Sequence, residues 1–226
     1  MKIVLLVLPV VVLMLAGCAS ISIEPGTNVA TQQAPEKIYV ETFDTAKADF
    51  EVDREGAELA QFQSNLQLMM STGISFDLTK RLIPATAVDG QPHFPPQRAW
   101  VITGEFVRVN QGSRLLRGTV GFGAGATKLV CRVRVYDLSR GVNEPFLTFA
   151  TTGGSNAEPG AITSLTTDPL TLAIETVAGG AGNVAHGLTE DTKRTAREVT
   201  AELSDYMYHR GWIPEDKWVK PKIYSD

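Results

Sequence analysis

The sequence predicts a single α+β domain, a mainly antiparallel sheet with helices packed on one face, in the order strand–helix–strand–strand–strand–helix. Three observations carry this. Two long stretches, running from Glu58 and from Glu190, repeat apolar residues every three or four positions. Lys128–Asp137 alternates strictly, with Leu129, Cys131, Val133 and Val135 pointing one way and Lys128, Arg132 and Arg134 the other. A composition of 226 residues, 43% hydrophobic and 20% charged, suits one good core.

Taken in order, the first 17 residues, MKIVLLVLPVVVLMLAG, carry Lys2 as their only charge before a short apolar run broken by Pro9. That is the layout of a secretory signal peptide, and the run is shorter than the roughly 20 residues a spanning helix needs. Leu15-Ala16-Gly17-Cys18 follows and resembles the bacterial lipobox. The resemblance implies cleavage between Gly17 and Cys18, a thioether-linked diacylglycerol on the Cys18 thiol and acylation of the new amino terminus. Two or three acyl chains anchor stably where one does not, each buried methylene adding about 0.8 kcal/mol. Ala19, where an aspartate would favour inner-membrane retention, implies the outer membrane, lipid-anchored and facing the periplasm. Residues 18–36 then read as the lipidated cysteine and a flexible tether, rich in Ser, Thr, Gln, Pro and Gly. Such a tether spans about 25 Å as a coil and about 60 Å fully extended.

The domain proper is expected at 37–213. Ile38–Phe43 is its first strand, and Asp44–Gly56 is charged and loop-like. The helix from Glu58 carries Leu59, Phe62, Leu66, Met69, Met70, Ile74, Leu78 and Leu82 on one stripe, read as core packing, and Pro84 ends it. Residues 84–98 hold four prolines and read as a loop. Trp100–Asn110 is a strong strand, and Phe146–Thr152 pairs with Lys128–Asp137 through a turn at Ser139–Pro145. Residues 153–188, rich in Gly, Thr and Ala, read as a long loop or an insertion. The last helix runs from about Glu190 to Arg210, with Thr189 or Asp191 to cap it, Val199, Leu203, Tyr206 and Met207 inward, and Gly211 at the left-handed position that ends it. Trp212 and Ile213 fold back on the core, and 214–226 is a C-terminal tail.

Several function classes are excluded on these numbers. A net charge of −4 and a pI near 5.5 carry no basic footprint for nucleic acid. With Cys18 acylated, Cys131 has no disulfide partner, and on the apolar face of its strand it reads as an inert buried thiol. His93, His186 and His209 are scattered, without metal-ligand spacing, so no metal or cofactor is expected. No Gly-x-Ser-x-Gly elbow occurs. The obvious candidates for chemistry, Glu105, Asp168 and His186, form no recognisable constellation, and the chain is read as a non-enzyme. Gly121, Gly123 and Gly125 precede Lys128, but Leu129 and a strand follow where a P-loop demands Ser or Thr and a helix. These glycines are read as a structural loop. Arg114, Arg117 and Lys128 around it form a candidate surface for an anionic partner.

The segment 104–137 carries Gly104-Glu105-Phe106, then Gly112-Ser113-Arg114 with Leu116-Arg117, then Gly121-Phe122-Gly123-Ala124-Gly125, then the Lys128–Asp137 strand. In this it resembles the bacterial lipoprotein family called domain of unknown function four-four-one-zero, over roughly residues 36–212. The resemblance implies a location and a fold, since the family has no established activity. The expectation is an outer-membrane-anchored periplasmic lipoprotein that binds or helps assemble another cell-envelope protein. The alternative is an oligomeric subunit of a curli-type secretion channel or ring.

Overall fold

The computed structural model describes residues 20–23, 31, 33–90, 94–95, 97–112, 127–140, 144–154 and 186–222. They form strands β1 (Ser20–Ile23), β2 (Lys37–Glu41) and β3 (Asp49–Glu51), helix α1 (Gly56–Arg81), strands β4 (Ala85–Val88), β5 (Ala99–Asn110), β6 (Lys128–Asp137) and β7 (Leu147–Gly154), and helix α2 (His186–Tyr208). A 3₁₀ turn at Glu215–Lys217 follows. One mixed sheet takes all seven strands in the order β1-β7-β6-β5-β2-β4, with β3 pairing on β5.

The expected α+β architecture holds. The long ladders β5–β6 and β6–β7 are antiparallel, and the short pairings of β2 with β4 and β5, and of β3 with β5, are parallel. The parallel part follows from α1, a crossover that returns the chain to the same end of the sheet before β4. Period-2 alternation sends Ile38, Val40, Trp100, Ile102, Leu129, Cys131, Val133, Val135 and Phe149 to one face. Helices α1 and α2 pack on that face and on each other, and the stripe of Phe62, Leu66, Met69, Met70, Ile74 and Leu78 is buried against it as expected. Gly104 lets the Phe43 ring approach β5, where the backbone N–H of Asp44 donates to the Gly104 carbonyl at 2.8 Å.

Four local expectations change. Asp49–Glu51, read as loop, is a strand, because Glu51 reaches Arg108 and Asn110 across the β3–β5 pair. Ala85–Val88, read within a proline-rich loop, is an edge strand: the prolines flank it, and the edge demands hydrogen bonds on one side only. Helix α2 begins a turn early, so Thr189 and Asp191 are buried inside it and cap nothing. Within 18–36, read as tether, Ser20–Ile23 pairs antiparallel with β7, Thr31 is buried, and its N–H donates to the Tyr206 hydroxyl at 3.2 Å. Backbone pairing along β7 is what a composition-based reading of a tether omits.

The end of α2 follows the expected motif. Gly211 has φ +70°, its N–H donates to the Tyr208 carbonyl, and the Trp212 N–H donates to that of Met207. Trp212 and Ile213 then pack on the core, Trp212 beside Trp100 and Tyr206. The described residues beyond, to Lys222, are tied to the domain. Trp218 stacks on Tyr208 with ring centroids 4.5 Å apart, and Ser204 exchanges hydrogen bonds with the backbone of Val219. Among the described residues, no helix is long and apolar enough to cross a membrane.

Candidate functional site

The sheet face away from the helices carries the charged half of the strand alternation. Glu105 on β5 stands opposite Arg132 on β6, and Thr103 opposite Arg134. Both guanidinium groups converge on one carboxylate oxygen, Glu105 Oε1, at 2.9 Å from Arg132 and 3.0 Å from Arg134. The hydrogen bond from Arg132 holds the Glu105 carboxyl below the ordinary carboxylate range, reinforced by Arg134 and opposed by partial burial. A carboxylate held ionised this way is a poor general acid and a good fixed charge. Further along β5, a bulge between Phe106 and Arg108 turns Val107 outward. Phe106 and Val109 thereby both stay in the core, while Arg108 pairs with Asp49 and Glu51. At the other end of the face, Val101, Ala99 and Leu138 are covered by Tyr39 and Phe94, whose rings lie 4.4 Å apart.

Of the residues singled out from the sequence, Gly17, Cys18, Arg114, Arg117, Gly121, Gly123, Gly125 and Asp168 lie outside the described residues. Lys128 is exposed at the start of β6, opposite Asn110. Cys131 is buried in the core, and burial pushes its thiol far above the ordinary range, as its place on the apolar face implied. Glu105 is a structural ion-pair centre. His186 opens α2 and so belongs to a helix, not to the preceding loop.

Sequence reasoning missed a second polar feature. A cleft of about 400 Å³ at the C-terminal end of α2 is lined by Glu202, Asp205, Tyr206, His209 and Arg210. Glu202 is 4% exposed, its Oε2 has no hydrogen-bond partner, and burial beside Asp205 and Glu198 pushes its carboxyl up to about 7. Glu198 accepts the backbone N–H of Lys222, and Asp205 accepts the indole N–H of Trp218. Arg210 lies over the Tyr206 ring at 4.3 Å and donates to the Thr31 carbonyl. The spacing of Glu198, Glu202 and Asp205 at four and three residues is the sequence signal that places them on one helix face. Glu198 and Glu202 are buried, Asp205 is half-buried, and the C-terminal segment bonds to Glu198 and Asp205. Among the described residues, no group of three His, Cys, Asp or Glu side chains is placed to hold a metal.

Fold and face together define an open-sheet α+β domain with helices on one side and a charged, ion-paired surface on the other. The family profile described as "Domain of unknown function (DUF4410)" matches residues 38–167, and the chain belongs to that family. No curated protein matches it at significant similarity. Solved structures similar to it include a PelC dodecamer from Paraburkholderia phytofirmans, at 9% identity and a TM-score of 0.36, covering 74% of this chain and 97% of that one. The hypothetical protein CT253 from Chlamydia trachomatis is similar at 14% identity and a TM-score of 0.41, covering 76% and 98%.

Proposed function

We propose that this chain is a lipoprotein anchored in the outer membrane through acylated Cys18, whose periplasmic domain binds another cell-envelope protein and assists its assembly without catalysing a reaction. The observation that carries the binding role is the sheet face around Glu105, which no helix among the described residues covers. A network of one carboxylate and two guanidinium groups on adjacent strands is rigid and polar, and it offers fixed charges to a partner. Glu105, the most suggestive acid in the sequence, is committed to two arginines, which supports binding over proton transfer. The Leu-Ala-Gly-Cys motif supports the anchor and its location.

Two experiments test this reading. A photo-crosslinking residue in place of Thr103 or Tyr136, carried by the full chain in cells, is expected to capture one defined envelope protein, with capture reduced by Glu105→Arg. Capture of nothing defeats the binding role, and capture only of a second copy replaces it with the ring subunit reading. Separately, Cys18→Ala is expected to abolish fatty-acid labelling, and unchanged labelling removes the lipoprotein reading.

A further inference from the structure

The anchor and the sheet are joined more closely than a tether allows. Only Ala19 separates Cys18 from Ser20, the first residue of β1. Consecutive Cα atoms lie 3.8 Å apart, so the chain linking Cys18 to the first residue of β1 can span no more than about 8 Å. Among the described residues β1 is the terminal strand, pairing with β7 from Ser20 opposite Thr152 to Ile23 opposite Phe149. Strand β4 closes the opposite edge, five strand spacings away, or about 24 Å.

We propose that the β1 edge of the sheet rests on the lipid headgroups and the β4 edge points into the periplasm, so that the domain is docked on the bilayer in one orientation. This rests on the acylation of Cys18 proposed above. The uncharged composition of β1 (Ser-Ile-Ser-Ile) and β7 (Leu-Thr-Phe-Ala-Thr-Thr-Gly-Gly) is compatible with this placement, since it meets no repulsion from anionic headgroups. Docking also orients the ion-paired face of β5 and β6 sideways, open to a partner in the same membrane.

The test places a fluorescent non-natural residue at position 152 on β7 or at position 86 on β4 of the full lipidated chain. The protein is reconstituted in phosphatidylethanolamine–phosphatidylglycerol vesicles that carry a headgroup nitroxide quencher. Position 86 lies four strand spacings, about 19 Å, beyond position 152, so quenching at 152 is expected to exceed that at 86 about threefold or more. A Gly/Ser insertion of about ten residues between Ala19 and Ser20 adds a coil of about 17 Å and is expected to erase the contrast while leaving β1 intact. Equal quenching at 152 and 86 without the insertion, or stronger quenching at 86, overturns the proposal. Mass spectrometry of the mature N-terminus reports acylation independently. If Cys18 carries no lipid, the lipoprotein reading fails, and coupling the mature chain through Cys18 to a maleimide lipid in the same vesicles still decides the docking geometry.

Discussion

Arg132 stands directly opposite Glu105 in the β5–β6 register, its Nη1 2.9 Å from Glu105 Oε1, and the same oxygen accepts Arg134 at 3.0 Å. Cross-strand pairs of opposite charge contribute a few tenths to about 1 kcal/mol, and here partial solvent exposure keeps the value at the low end of that range for each arginine. Glu105→Gln is therefore expected to cost about 0.5–1 kcal/mol near neutral pH, read as a lower urea midpoint. Glu105 has a lowered folded-state pKa, so its contribution is present above the ordinary carboxylate value and is lost as pH falls through the lowered one. The gap between wild type and variant should close in acid, and a gap that persists there contradicts the ion-pair account.

Glu202 has the opposite sign. Its folded-state pKa is raised to about 7, so the folded chain holds a proton that the unfolded chain has already released. The stability this contributes is present below the ordinary carboxylate value and is lost as pH rises through about 7, on the order of 3 kcal/mol in all. Glu202→Gln is expected to flatten stability between pH 5 and 8, and to be more stable relative to wild type at pH 8 than at pH 5. Thermal unfolding of both proteins across that range checks it.

A β-carbon on Gly104 would overlap the edge of the Phe43 ring. Gly104→Ala is expected to destabilise by about 1–3 kcal/mol through overpacking. Phe43→Ala removes the ring and leaves a cavity, at a cost of about 3–5 kcal/mol. Because the added methyl would enter space the ring vacates, the double variant should be less destabilised than the sum of the two singles. Additive urea midpoints would show that the two residues do not compete for the same space.

Trp218 fastens the C-terminal segment by stacking on Tyr208 and donating its indole N–H to Asp205 at 2.9 Å. Trp218→Ala is expected to cost about 1–2 kcal/mol. It should also speed hydrogen exchange in the last turns of α2 while leaving the β5–β6 ladder unchanged. Uniformly faster exchange would indicate a general loss of stability and not a released segment.

The elements written most plainly in the sequence were those with strong local patterns. Lys128–Asp137 was delimited to the residue because its alternation is unbroken, and α1 to within a few residues because its stripe repeats and Pro84 stops it. Gly211 declared the end of α2, since its left-handed conformation at the C′ position suits glycine best. Strands β1, β3 and β4 are three or four residues long and gain their order from neighbours distant in sequence, so no local period announces them. The candidate face was half legible: alternation put Arg132 and Arg134 outward, but only register could bring both arginines to one oxygen of Glu105. The cleft at the end of α2 was written as charge spacing on a helix, and only the C-terminal segment folding back onto Glu198 and Asp205 gave it its partners.

Sequence alone determined the fold class, the long strands and helices and the family resemblance, which are carried by patterns in contiguous residues. Tertiary structure decided that Glu105 is clamped by two arginines, that Glu202 is a buried carboxyl with a raised pKa, and that Ser20–Ile23 is part of the sheet. The physical reason is common to the three. Charge state and order depend on which groups lie within a few ångströms, and desolvation and strand pairing arise between residues that folding brings together across long stretches of chain.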